Sequence, residues 1–131
     1  MEILEKYGQE IAEDTAVDEI NVKDVAMRLP GIKHKWVARL INHKKQLNRL
    51  EKEKEAVIEA TLKKIKEKGD IQLSKGAMTA KISTLESVKV LDEKIDEQKA
   101  LVDYLEHVES IFRYMTNDIK NVIDIMKMEL T

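Results

Sequence analysis

The run ESVKVLDEKIDEQKALVDYLEHVESIFRYMTNDIKNVIDIMKMEL, residues 86–130, contains neither glycine nor proline. Val88, Leu91, Ile95, Val102, Leu105, Phe112, Ile119, Ile123, Met126 and Leu130 follow alternating steps of three and four residues, with Gln98, Glu109 and Thr116 as the polar members of the series. That spacing keeps one side chain per turn on a single face of an α-helix, the pattern of a helix packed lengthwise on another. Ser83-Thr84-Leu85-Glu86 has the spacing of a capping box, in which Ser83 accepts from the amide near Glu86 and Glu86 reaches back. A helix is therefore predicted over residues 84–131. From residue 101 a second apolar set, Leu101, Val108, Ile111, Met115, Val122 and Ile125, lies beside the first. One antiparallel partner covers one stripe, so the second needs another neighbour. Two arrangements supply it. Identical chains can associate through Leu101, Val102, Leu105, Val108, Ile111, Phe112, Met115, Ile119, Val122, Ile123, Met126 and Leu130, or the long helices can share one intramolecular core with the N-terminal ones. Self-association is the expectation taken forward.

Upstream, Gly69–Asp70 reads as a helix stop and turn, followed by a connector over 69–83 with a short helix in it. Between Pro30–Gly31 and Gly69 there is no breaker. Residues 32–68 therefore read as one helix, roughly 55 Å long at about 1.5 Å per residue. Its apolar stripe, including Ile32, Trp36, Leu40, Leu47, Leu50, Val57, Leu62 and Ile65, is thin and interrupted by the charged stretch Glu51–Glu55. Such a helix is stable only when packed on a partner. Residues 1–30 read as short helices. A weakly amphipathic one spans 2–13, and another, Val22–Leu29, is N-capped by Asn21 and ended by Pro30. The predicted fold is all-α and a single helical domain: two long antiparallel helices plus short N-terminal helices, assembling into a ring-shaped homo-oligomer through the C-terminal helix.

Composition agrees with long helices. Of 131 residues, 37% are charged and only 4% aromatic, with one proline and four glycines. The chain has no cysteine, which excludes disulfides and thiolate chemistry. The acidic N-terminus is not a signal peptide, and no apolar run approaches the ~20 residues of a membrane span. A soluble intracellular protein is expected.

The charge is unevenly distributed. Residues 1–20 carry one base and seven acids, residues 21–68 carry 14 bases and six acids, and residues 69–131 carry eight bases and 12 acids. A pI of about 6.0 thus hides a basic middle between acidic ends. From Lys33 to Arg49 stand six bases (Lys33, Lys35, Arg39, Lys44, Lys45, Arg49) and no acid, and Lys63, Lys64, Lys66 and Lys68 follow near the helix end. Exposed helices usually interleave signs, so an uncompensated run points to a polyanion, with nucleic acid the expected one. On a helical projection Trp36, Leu40 and Leu47 share an arc while Lys35, Arg39, Lys45 and Arg49 fall on the other side. The bland reading of the late lysines is a favourable interaction with the helix dipole. Lysines without interleaved aromatics grip phosphates and carry little sequence information, which favours strand binding without sequence preference.

Catalysis has no such basis. His34, His43 and His107 share no metal-ligand spacing, and the first two read as extensions of the basic run. There is no phosphate-binding loop and no nucleophile elbow. No enzyme activity, cofactor or metal is expected.

The Lys35–Trp36 pair opening a long basic helix, the Gly69–Asp70 break and the ending Ile119-Lys120-Asn121-Val122-Ile123-Asp124 together resemble the UvsY-type phage recombination mediator family, nearly end to end. The resemblance implies an α-helical protein that assembles into rings, heptameric in the well-known case, through its C-terminal helix. It implies single-stranded DNA, a RecA-like recombinase and a single-stranded-DNA-binding protein as partners. The implied role is to help the recombinase replace the binding protein, in the cytoplasm of an infected bacterial host. The family's basic Lys-Ala-Arg-type patch corresponds to Ile58-Glu59-Ala60-Thr61, so those two bases are absent and Lys63, Lys64, Lys66 and Lys68 lie a turn later. The competing expectation is a structural coiled-coil adaptor that binds no nucleic acid, its basic helix meeting an acidic protein face such as residues 1–20.

Overall fold

The structure is a computed structural model that describes residues 2–68, 75–83 and 85–130, apart from a few side chains in 68–80. It is all-α: α1 (Glu2–Thr15), α2 (Val22–Lys68), α3 (Lys75–Ser83) and α4 (Glu86–Glu129). The Gly69–Asp70 stop lies outside the described residues. The chain forms two compact units, one of Met1–Asn42 with Leu101–Thr131, the other of His43–Ala100. In the first, Trp36 of α2 stacks on Phe112 of α4, while Val22 and Ala26 share a groove with Ile123 and Leu130. In the second, His43 meets Gln98 and Lys54 meets Asp92. Numbers rise on one helix as they fall on the other, so α2 and α4 are antiparallel in both units.

Pro30 does not end a helix. It sits inside α2, which is unbroken from Val22 to Lys68. A proline in a helix interior removes one backbone bond and crowds the carbonyl four residues back, at a cost of about 3 kcal/mol. Here that carbonyl belongs to Ala26, and both residues lie on the exposed side. Val25, Leu29, Ile32 and Trp36 bracket the proline at helical spacing and are all buried. Burying a large aliphatic side chain contributes about 1.5–3 kcal/mol, so keeping this stripe continuous outweighs the local loss. Asn21 stands at the N-cap position, its carbonyl accepting from Val25 at 2.9 Å. Its side chain turns backwards, with Oδ1 accepting from the Asp18 amide and Nδ2 donating to the Ala16 carbonyl. Asp18 Oδ1 in turn accepts from the Ile20 and Asn21 amides, which closes the α1–α2 loop.

The α4 seam also departs from the expected register. Val88, Leu91 and Ile95 are buried as the heptad requires. From residue 101 the buried or half-buried positions are Leu101, Val102, Tyr104, Leu105, Val108, Phe112, Met115, Ile119, Val122 and Met126. Val108 and Met115 take the places that a strict heptad assigns to Glu109 and Thr116, which are exposed. A 3.6-residue helix drifts against a 3.5-residue repeat, and the seam changes phase where apolar side chains are available. The start of α4 lies two residues later than the expected capping box places it, at Glu86. Ser83 ends α3, and the Leu85 carbonyl is the acceptor for the Val88 and Lys89 amides.

Part of the second apolar stripe finds its neighbours inside the chain, while Ile111 and Ile125 stay exposed. Leu101, Val102, Leu105, Val108, Phe112, Met115 and Ile119 are all buried, in the unit that also buries Tyr7 and Ile11 of α1 and the start of α2. These seven are therefore already covered in one chain. Ile111, Ile123 and Leu130 remain exposed, and Val122 and Met126 half-buried.

Because Pro30 is exposed and only tolerated, Pro30→Ala is expected to stabilise the protein by about 1–3 kcal/mol, read as a raised midpoint in thermal or urea unfolding.

Candidate nucleic-acid interface

The basic run divides between the two units. In the first, Lys35 and Arg39 lie one and three residues from Trp36, hence about 100° and 60° around the helix from it. They flank the buried face rather than oppose it, and α1 lies along that flank. Glu10 and Asp14, one turn apart on α1, meet Arg39 and Lys35, one turn apart on α2. Lys35 Nζ is 2.6 Å from Asp14 and 3.6 Å from Glu10, and Arg39 pairs with Glu10. Trp36 Nε1 donates to Asp14 at 2.8 Å. The Arg39 guanidinium lies 4.7 Å from the ring centroids of both Tyr7 and Trp36, and Lys35 Nζ lies 5.1 Å from Trp36. Trp36 itself, 3% exposed, meets Tyr7 edge-on at 5.4 Å and Phe112 stacked at 6.2 Å. The Arg39 hydrogen bond is the largest influence on the Glu10 carboxyl; burial opposes it, and the charges of Arg39 and Lys35 add to it, so the group is held below the ordinary glutamate value. Lys35 and Arg39, read from sequence as polyanion contacts, are thus neutralised by α1. Lys33 has no ion pair with any described residue and borders a cavity of about 220 Å³ with Trp36, Val37 and Phe112.

In the second unit the cations face solvent. Lys45, Asn48, Arg49 and Lys52 occupy one face of α2 at steps of three and four and line a shallow surface groove. All four are exposed, and among the described residues none of their three cations makes an ion pair. Lys52 does not stand out in the sequence because the acids at 51, 53 and 55 surround it, yet the helix turns it to the Lys45–Arg49 side. Lys44 is exposed on a neighbouring arc. Lys63, Lys64 and Lys66 are exposed and unpaired with described residues, and Lys68 is the last residue of α2. On an ideal helix Lys63 and Lys66 return to the arc of Lys45 and Lys52, with the exposed Glu55 and Glu59 between the two groups. Lys54, by contrast, is spent on Asp92 at 2.5 Å.

His43 does not extend the basic face. It is buried, and Gln98 Nε2 lies 2.8 Å from its Nδ1 and 3.1 Å from its carbonyl oxygen. An amide nitrogen only donates, so Nδ1 accepts and the ring proton sits on Nε2. Gln98, the first of the three polar members of the heptad series, therefore has a built partner, legible as a polar residue on each facing stripe. His34 and His107 are exposed, and His107 Nδ1 donates to the Asp103 carbonyl of its own helix. Among the described residues no cluster of histidines and carboxylates could hold a metal ion, and no helix is long and apolar enough to cross a membrane.

The sequence profile of the family described as "Recombination, repair and ssDNA binding protein UvsY" matches residues 10–130. No curated protein matches the chain significantly. Among solved structures, the bacteriophage T4 recombination mediator protein UvsY is similar in several crystal lattices. One gives a TM-score of 0.83 at 20% identity, covering 96% of this chain and 98% of that one. Another gives 0.80 at 20% identity, covering 93% and 97%. At that identity the likeness is one of fold.

The Glu10–Arg39–Lys35 contact sets a pH dependence. A carboxyl held low in the folded protein contributes stability above its unfolded value, near 4.5, and that contribution is lost as pH falls through the lower folded value. Acidification below about pH 4.5 is therefore expected to loosen α1, seen as a change in Trp36 fluorescence, and Glu10→Gln is expected to flatten that acid limb.

Proposed function

Because the chain belongs to the UvsY family of recombination, repair and single-stranded-DNA-binding proteins, we propose that it is a recombination mediator that grips single-stranded DNA through the solvent-facing cations of α2. The observation that carries this reading is the Lys45–Arg49–Lys52 face, three exposed cations with no carboxylate among the described residues to answer them. Lys44, Lys63, Lys64, Lys66 and Lys68 extend the same charge along the helix. Successive cations on that face are spaced about 4.5–6 Å along the axis, a rise that suits the phosphates of an extended strand. Contacts of this kind read charge and leave the bases unread, so affinity is indifferent to sequence and falls steeply with salt. Held on such a surface, a strand is presented to a RecA-like recombinase as the single-stranded-DNA-binding protein leaves. Assembly into a homo-oligomeric ring multiplies weak sites through effective concentration. The residues suited to assembly are those left exposed at the end of α4. Ile123 and Leu130, the latter 86% exposed, line an open apolar groove of about 460 Å³ with Val22, Ala26, Met27 and Met126. The competing reading, an adaptor without nucleic acid, draws support from Lys35 and Arg39, which already have acidic protein partners.

Lys45→Gln/Arg49→Gln is expected to weaken binding of an oligo(dT) strand several-fold at low salt. It should also reduce the slope of log affinity against log salt by about 1.4, since each phosphate that is no longer neutralised accounts for about 0.7. Wild-type binding that ignores salt would count against the phosphate grip, and no binding at all would favour the adaptor. Ile123→Asp/Leu130→Asp is expected to lower the sedimentation mass towards a single chain while helical circular dichroism is retained.

A further inference from the structure

Two pairs of charges, each one helical turn apart, face one another in the first unit: Glu10 and Asp14 on α1, Arg39 and Lys35 on α2. The cations belong to the same acid-free run as Lys45 and Arg49 and sit against the only tryptophan of the chain. Two anions about 6 Å apart along a helix resemble, in charge and spacing, two neighbouring phosphates. The helix that carries them has five acids against one base and buries only Tyr7 and Ile11. Elements with so few buried anchors open at a small fraction of the global unfolding free energy.

We propose that α1 is an internal competitor for the strand: Glu10 and Asp14 occupy a second phosphate site, made of Lys35 and Arg39 beside Trp36, which single-stranded DNA takes over when α1 is displaced. This deepens the reading of α2 as the DNA-contacting helix and rests on it. The exchange is between anions on fixed cations. It needs no change in α2, and with Tyr7 gone from its edge the indole becomes available to stack on a base. A latent site of this kind makes the length of bound strand depend on salt and on strand concentration, because α1 and DNA compete for the same two charges.

The test uses the full chain and an oligo(dT) strand at two salt concentrations. Glu10→Gln/Asp14→Asn, which keeps an acceptor for Trp36, is expected to bind on the order of 10-fold more tightly than wild type at low salt, with a salt slope steeper by about 1.4. Adding Lys35→Gln/Arg39→Gln is expected to remove that gain. Glu2→Gln/Glu5→Gln, with the same change in net charge but no contact to either cation, is expected to give a markedly smaller gain. Wild-type Trp36 emission is expected to change as the strand is added, a readout that needs no variant. Equal affinity of wild type and Glu10→Gln/Asp14→Asn, equal gains in both acid-to-amide pairs, or Trp36 emission unmoved by saturating DNA would each overturn the proposal. If Lys45→Gln/Arg49→Gln still weakens wild-type binding in those cases, the functional reading survives without it. If neither wild type nor Glu10→Gln/Asp14→Asn binds, both are overturned.

Discussion

The first unit depends on how Trp36 is buried. An indole contributes more apolar area than any other side chain, but it brings an N–H that must find an acceptor. Left unpaired in the interior, such a donor costs about 1–3 kcal/mol. Asp14 accepts it, so the carboxylate has to come with the ring, and α1 has to come with the carboxylate. Once α1 is placed, Tyr7 closes the edge of the indole and Glu10 reaches Arg39. Phe112 completes the other face from α4. Three helices are thus tied to one side chain, and the ion pairs follow from that tie rather than drive it. Partly exposed pairs of this sort are worth little by themselves.

The same helix then treats its cations in two ways. Where α1 runs beside it, Lys35 and Arg39 are answered by acids and rest on aromatic rings. Past Asn42, α2 carries Lys45, Arg49 and Lys52 on a face that no described acid answers. One run of sequence with a single sign therefore contains a structural part and a solvent-facing part. The division is set by which helix packs alongside, which charge counting does not see.

Much of the fold was legible because long helices announce themselves by what they lack. The absence of breakers over 86–130 and the three-four spacing of Val88, Leu91 and Ile95 led directly to α4. Pro30 misled because its local cost is real, and only the buried series Val25, Leu29, Ile32 and Trp36 shows why the helix tolerates it. Glu109 and Thr116 misled because a fixed seven-residue register was carried past the point where Val108 and Met115 offered a better seam. The second stripe of α4 divides in the same way: Leu101, Val108 and Met115 are buried within one chain, while Ile111 and Ile125 stay exposed, and residue spacing alone does not tell the two groups apart. At the candidate site, Lys45 and Arg49 are exposed, as a place opposite the apolar arc suggests. The partners of Lys35 and Arg39 were legible in principle, since Glu10 and Asp14 repeat the same four-residue spacing on the acidic helix, but sequence spacing does not say which faces meet.

The placement of the aromatics bears on the kind of binding that remains possible. Tyr7, Trp36 and Phe112 are consumed by packing, and Tyr104 is half-buried beside α1. Among the described residues Tyr114 is the one ring left largely open, and it lies in the other unit from the Lys45–Arg49 face. That face therefore has no stacking platform of its own. Base stacking is worth about 1–3 kcal/mol per base where it occurs, so a surface without it holds a strand by charge alone. Charge alone gives weak, salt-sensitive and sequence-blind contacts for each chain. On the proposed reading such a face gains useful affinity by repetition, for which the exposed apolar residues at the end of α4 are the proposed contact. Under the proposed mediator role, weak individual grip is an advantage, because a strand held by several exchangeable contacts can be handed on one contact at a time.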